Sequence, residues 1–310
     1  MGLARAAINL LVHETHRRPF SGRIVTLGTQ HVYATAEDVR AMAREAGVVL
    51  AASALEPHQN AELAAQGFVS DRSLFRSLGF DDVLRLDVSD YEQCDELLDL
   101  NAQETPAHLQ GKFDVVLDSG TLEHVFDLPA ALRHASRMVK PGGRIIHLTP
   151  SSNCVEHGFY SVSPTLFHDF YGANGFELAD IFLCRGPLDL QRGVWEVYDY
   201  LHSPQRLLPL GLLDSSIWLT WSVAIAPARF ENVIPQQGFY ESTWRQAGEA
   251  SDRPGSDVEQ GSKARRLLDA VKFSPFLTRL AQATIDRWRG IAHAHQVRRH
   301  QLPYPMVGRF

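Results

Sequence analysis

A chain of 310 residues is long enough for one large domain, or for one domain with a substantial extension. Its hydrophobic fraction of 45% and charged fraction of 21% are those of an ordinary globular protein. A formal net charge of −6 without a dense basic cluster argues against nucleic acid as the main partner.

The apolar start, residues 1–12, is short and has no cleavage signature, so no signal peptide is expected. No run of about 18 apolar residues occurs, so no membrane span is expected either. Residues 3–13 read as a short helix, and 22–28 as a β-branched strand ending in Gly28. Residues 36–46 have helical composition and stop near Gly47. Residues 48–54 fit a strand or a buried helical turn equally well. A helix over 71–78 closed by Gly79 precedes an alternating strand over 83–88. Residues 95–101 read as a short strand or a turn beside it.

Residues 112–118 form the clearest strand, with the continuous apolar centre of a strand buried on both faces of a parallel sheet. A helix over 128–139, a Lys140-Pro141-Gly142-Gly143 turn and a strand over 144–148 complete a βαβ unit. Residues 164–174 read as a helix with Pro164 in its first turn, and 176–183 and 218–226 as strands. Residues 248–261 have the composition of an exposed linker, and 262–300 return to helical composition. The chain thus divides into an N-terminal helix or arm (1–20), an α/β domain (21–230), a linker (231–261) and a helical extension (262–310). The extension is a candidate surface for a homodimer or a protein partner. Cys94, Cys154 and Cys184 are scattered without metal-ligand spacing, which suggests no zinc site and suits a reducing cytoplasm.

Phe113-Asp114-Val115-Val116-Leu117-Asp118-Ser119-Gly120-Thr121-Leu122-Glu123-His124-Val125 resembles the fourth-strand motif of class I S-adenosylmethionine (SAM) methyltransferases acting on small molecules. Val139-Lys140-Pro141-Gly142-Gly143-Arg144 resembles the turn before their fifth strand, in the right order and spacing. The resemblance implies an α/β fold with a doubly wound, mostly parallel Rossmann-like sheet. It implies SAM as cofactor, lying across the carboxyl ends of the parallel strands. It places Gly28, Thr29 and Gln30 at the family's glycine-rich loop, where one glycine remains of the usual several. Thr29, Gln30 and His31 would then supply side-chain contacts in place of close backbone approach. Asp87 falls at the ribose carboxylate and Asp99 at the adenine side, although each also reads as a strand-end turn. The distance from Gly28 to Asp87 exceeds the usual spacing, which an insertion over residues 40–75 explains. Asp118, Ser119 and Glu123 complete the cofactor side.

His124 is a candidate general base or a loop-holding histidine. The loop after the fifth strand concentrates Ser151, Ser152, Glu156, His157 and Tyr160, a composition suited to gripping a polar small molecule, and His157 and Tyr160 join His124 as catalytic candidates. Glu156, His157 and His168 fit no compact metal motif, so no metal is expected. The expected function is methyl transfer to an oxygen or nitrogen of a small molecule, in natural-product or sugar metabolism. The thinned glycine loop keeps two alternatives open: a SAM-independent displacement or ring closure on the same scaffold, and a non-catalytic partner subunit.

Overall fold

The computed structural model describes residues 2–203, 213–238, 240–241, 244–245 and 304–310. One compact unit comprises Met1–Ser203, Ser215–Ile234 and Tyr304–Phe310; a second takes Pro204–Asp214 and Pro235–Pro303. The expected linker over 248–261 and helical stretch over 262–300 lie outside the described residues. Among the described residues no helix is long and apolar enough to cross a membrane.

The first unit opens with strand β1 (Gly2–Leu3) and helix α1 (Arg5–Arg17), then β2 (Arg23–Leu27) and β3 (His31–Val32). Helix α2 (Ala36–Ala46) starts where Thr35 accepts the Asp38 N–H and Asp38 reaches back to the Thr35 backbone, and it stops at Gly47 in the left-handed region. Residues 48–54 are irregular, and α3 (Ala61–Ala65) and α4 (Asp71–Ser77) are short. Next come β4 (Asp82–Asp87), β5 (Glu96–Leu97), β6 (Phe113–Ser119), α5 (Leu128–Met138) and β7 (Val139–Ser152). Helix α6 (Pro164–Ala173), β8 (Glu177–Gly186), β9 (Glu196–Asp199), β10 (Ile217–Ile225) and β11 (Met306–Arg309) complete the unit.

These strands form a nine-stranded sheet in the order β11-β9-β8-β10-β7-β6-β2-β4-β5. Strands β5, β4, β2, β6 and β7 run parallel, whereas β10 runs antiparallel to both β7 and β8. Helices cover both faces. Ile24, Val115 and Ile146 face the core that contains Ile8, Leu11, Val39 and Phe75, while Val25, Val116 and Ile145 face the one that contains Leu132, Ala135, Phe167 and Tyr171. Two apolar faces on one strand explain the unbroken Val-Val-Leu run of β6. The turn Lys140–Gly143 bulges out of β7 between the Phe113↔Val139 and Val115↔Arg144 pairs.

Two sequence expectations change here. The N-terminal helix is no arm: Ile8, Leu11 and Val12 are fully or almost fully buried. Its Glu14, also fully buried, accepts hydrogen bonds from Arg18 and Arg144, and Arg17 and Arg18 reach on to Asp180 of β8. And the chain's end is not helical throughout, because β11 pairs antiparallel with β9.

After β2 the chain lays β4 and β5 to one side, then crosses back to place β6 on the other. That reversal opens a crevice beyond the carboxyl ends of β2 and β6, where open α/β sheets bind ligands.

Candidate functional site

At the end of β2, Gly28 takes φ +81°, a conformation open to glycine at little cost, and its N–H donates to Leu86 O at 2.7 Å. This bond couples the turn to the end of β4, one residue before Asp87. The half-buried Asp87 accepts the Ser89 N–H on Oδ1 at 3.3 Å, the strand-end turn its sequence allowed. Thr29 and Gln30 are buried, yet Thr29 Oγ1 and Gln30 Oε1 have no hydrogen-bond partner. Buried polar atoms are normally paired, so these two are features a polar ligand would satisfy. A left-handed glycine, two unpaired polar groups and a carboxylate at a switch point fit the ribose and amino-acid portions of SAM. Thr121 Oγ1 donates to Leu27 O and ties the loop after β6 to the same turn.

That loop is built on Asp118. Its Oδ1 accepts the Thr121 and Leu122 N–H groups at 3.0 and 3.1 Å, and its Oδ2 accepts His147 Nδ1–H at 2.9 Å. A carboxylate can only accept, so His147 carries its proton on Nδ1, and Nε2 accepts the Tyr171 O–H at 2.6 Å. Asp118 is fully buried with both oxygens engaged, so it shapes the loop and is not a ligand to the cofactor, contrary to the sequence expectation. Asp99 is exposed, with Oδ1 holding the Asn101 backbone and side-chain N–H groups, which keep its carboxyl below the usual range. It too serves the turn that the sequence left open.

Beyond β6 and β7 lies a cavity of about 620 Å³. Ser119 and Gly120 form its edge toward β2, Leu148, Thr149 and Pro150 of β7 its floor, and residues 153–157 one wall. Trp195, Leu190, Leu219 and Tyr33 line the remainder. Thr149 Oγ1 is buried without a partner. The wall is mostly apolar with few polar atoms, which is the composition of small-molecule sites.

Glu123 is the cavity's most unusual group. It sits in a 3-10 turn (Leu122–His124), is 0% exposed, and neither carboxylate oxygen has a hydrogen-bond partner. Burial, reinforced by the nearby Asp118 charge, pushes its carboxyl up to about 8. His157 Nε2 lies 3.4 Å and His124 Nε2 3.9 Å from its Oε1. The two imidazoles are 5.1 Å apart between ring centroids. Burial, then the His157 charge, lowers the His124 pKa. The loop that carries His157 is pinned to this turn, because Phe159 N–H and Tyr160 N–H both donate to Glu123 O, at 2.7 and 3.3 Å. Gly158 permits the approach, since a Cβ there would stand 2.7 Å from Glu123 O and 3.0 Å from its Cγ.

The structure therefore brings Glu123, His124 and His157 together and places Ser119 and Glu123 on the cavity. It does not bring Tyr160 there: its hydroxyl donates to Phe126 O at 2.7 Å and fastens the loop. His168 pairs with Asp169, and Glu156 lines the cavity without joining either histidine. Tyr33, Thr149 and Trp195 escaped the sequence reading. Only Thr149, directly after the apolar centre of β7, carried a usable signal, as a polar residue at a strand's carboxyl end.

A family model described as a methyltransferase domain matches residues 43–174, from within α2 to the end of α6. No curated protein matches the chain. Among solved structures, one described by the conversion of a disulfide bond into a thioacetal group during echinomycin biosynthesis aligns at 14% identity and TM-score 0.35, over 79% of this chain and 88% of that one. A geranyl diphosphate methyltransferase in complex with SAM aligns at 14% identity and TM-score 0.34, over 71% and 84%. The N-methyltransferase NodS from Bradyrhizobium japonicum WM9, in complex with S-adenosylhomocysteine, aligns at 11% identity and TM-score 0.36, over 72% and 86%.

Proposed function

We propose, from the premise that this chain carries a domain of the class I SAM-dependent methyltransferase family and is a methyltransferase, that its acceptor is an oxygen or nitrogen atom of a small molecule. The observation that carries this reading is the cavity beside the β2/β6 crevice, with a fully buried Glu123 that accepts no hydrogen bond set in a mostly apolar lining. Natural-product or sugar metabolism supplies small molecules of this kind.

When bound, SAM supplies an electrophilic methyl group on sulfur. The chain's residues supply the rest. Gly28, Thr29, Gln30 and Asp87 would hold the cofactor at the end of β2, and Ser119 and Gly120 line the edge of the cavity. Leu148, Pro150, Trp195 and Leu219 hold the apolar body of the acceptor and keep water from it. Glu123 Oε1 or His157 Nε2 accepts the hydrogen bond from the acceptor's O–H or N–H and so aims its lone pair. Such orientation lowers a bimolecular barrier by as much as about 7–11 kcal/mol in well-aligned cases.

Titration calorimetry of the whole chain with SAM and S-adenosylhomocysteine tests the reading. Binding at micromolar level, about −8 kcal/mol, supports it and justifies an acceptor screen. A folded sample that binds neither overturns it. One observation favours a second reading in that event: the Gly28 N–H is already bonded to Leu86 O, and no further glycine follows in the turn. The cavity would then serve a SAM-independent displacement within one substrate that carries its own leaving group.

A further inference from the structure

We propose that Glu123, His124 and His157 form a binding site for a divalent first-row transition-metal ion at the mouth of the cavity, and that the ion selects an acceptor with an ionisable hydroxyl. Each of the three offers one donor atom, and these atoms all lie within 4.8 Å of one another. A tetrahedral ion with bonds of about 2.0–2.1 Å needs donors roughly 3.3 Å apart. His157 Nε2 stands 3.4 Å and His124 Nε2 3.9 Å from Glu123 Oε1, so a small rotation of two part-exposed imidazoles closes the set.

A second observation points independently to a ligand. Glu123 is fully buried, neither of its oxygens accepts a hydrogen bond, and it lines the cavity. In its ionised form a buried carboxylate without hydrogen bonds is costly, and a bound cation offsets that cost. The loop geometry serves the same arrangement. Gly158 and the Phe159 N–H bond to Glu123 O bring His157 over the carboxylate from a different part of the chain.

Two imidazoles and one carboxylate suit zinc, manganese, iron(II) or cobalt(II) better than magnesium or calcium, which favour all-oxygen sets. Three protein donors leave open positions, and two of the three, Glu123 and His157, line the cavity. A hydroxyl bound at an open position loses its proton more readily, as metal-bound water does. That half of the inference rests on the methyl-transfer reading. In it the proton leaves to solvent past the exposed histidines, the oxygen–carbon bond forms, and the sulfur–carbon bond breaks with its electron pair going to sulfur.

Cobalt(II) is the probe, because its visible absorption reports a bound site directly. Metal-stripped full-length chain is titrated with cobalt(II), and separately with S-adenosylhomocysteine, alongside E123Q and H157A, each checked for folding by circular dichroism. H124N, altered at an exposed side chain, guards against variants that fail to fold. The expected result is one cobalt per chain, with affinity falling about tenfold or more in the variants. Folded wild-type chain that takes up no cobalt, or variants that bind it as wild type does, would overturn the site. Cobalt binding without S-adenosylhomocysteine binding supports the site while removing the methyl-transfer reading. Cofactor binding without cobalt binding does the reverse.

Discussion

Gly158→Ala discriminates sharply because its expected sign is opposite to the usual one. Gly158 lies outside the left-handed region. At such a position alanine ordinarily stabilises by about 0.4–1 kcal/mol through the unfolded chain. Here the added methyl would meet Glu123 O at 2.7 Å, Glu123 Cγ at 3.0 Å and Glu123 C at 3.1 Å. Two of these are backbone atoms of a turn fixed from below by Asp118, so the Glu123 side cannot retreat. The loop at 153–160 must lift instead, weakening the Phe159 and Tyr160 N–H bonds to Glu123 O. Overpacking costs about 1–3 kcal/mol, and each lost hydrogen bond about 0.5–1.5 kcal/mol. With partial relief, we expect a net loss of about 1–3 kcal/mol, or a melting temperature lower by several degrees at roughly 2–4 °C per kcal/mol. The His124 and His157 rings, 5.1 Å apart, should also separate. Thermal unfolding followed by circular dichroism measures the first effect, and ring-to-ring nuclear Overhauser contacts measure the second. An alanine variant as stable as wild type, with the ring contact kept, would refute the close approach as the device that places His157.

Three further outcomes follow from the same contacts. Glu14→Ala leaves the part-buried Arg144 without its partner carboxylate and should cost about 3–5 kcal/mol in urea unfolding; a loss below about 1 kcal/mol would show that the ion network does not fasten α1 to the sheet. Tyr171→Phe removes the donor to His147 Nε2 in a fully buried chain, with an expected loss of about 1–3 kcal/mol and S-adenosylhomocysteine binding unchanged; equal urea midpoints would refute that role. Although burial works the other way, the Arg23 N–H and the Lys140 ammonium hold the Asp114 carboxyl below its usual range. A depressed folded pKa gives stability that is present above the unfolded value, about 3.9, and lost as pH falls through the folded one. Unfolding midpoints of Asp114→Asn should therefore decline less than wild type on acidification below about pH 4, and parallel declines would count against this pairing.

The sheet was legible because its signals are local. The β6 run alternates between two apolar cores, and Thr35, Asp38 and Gly47 bound α2 by side-chain and backbone rules that span a few residues. What escaped the sequence depends on partners far along the chain. Asp118 reads as a strand-end ligand until His147, 29 residues on, takes its second oxygen. Tyr160 reads as a catalytic hydroxyl until Phe126 O, 34 residues back, claims it. Strand β11 pairs with β9 more than a hundred residues earlier, a pairing no local pattern in a four-residue edge announces.

The same distinction explains why the histidines were noticed singly and their meeting was not. His124 carries a resemblance and His157 a suggestive neighbourhood, but they meet at the same oxygen of Glu123. Glu123 stays buried and without a hydrogen bond because the Asp118 cap fixes its turn and Gly158 lets the next loop close over it. At the other end of the crevice the logic reverses. The turn after β2 keeps one glycine, Gly28 has committed its own N–H to Leu86, and unsatisfied side-chain polar atoms lie on Thr29 and Gln30, with the Asp87 carboxylate nearby. Side-chain contacts demand closer geometry than a backbone cradle, so cofactor affinity in this chain should depend on how firmly β4 holds the turn after β2. The Gly28–Leu86 bond that engages the N–H of the turn's glycine is also the bond that holds the end of β4, and Asp87 with it, to the turn after β2.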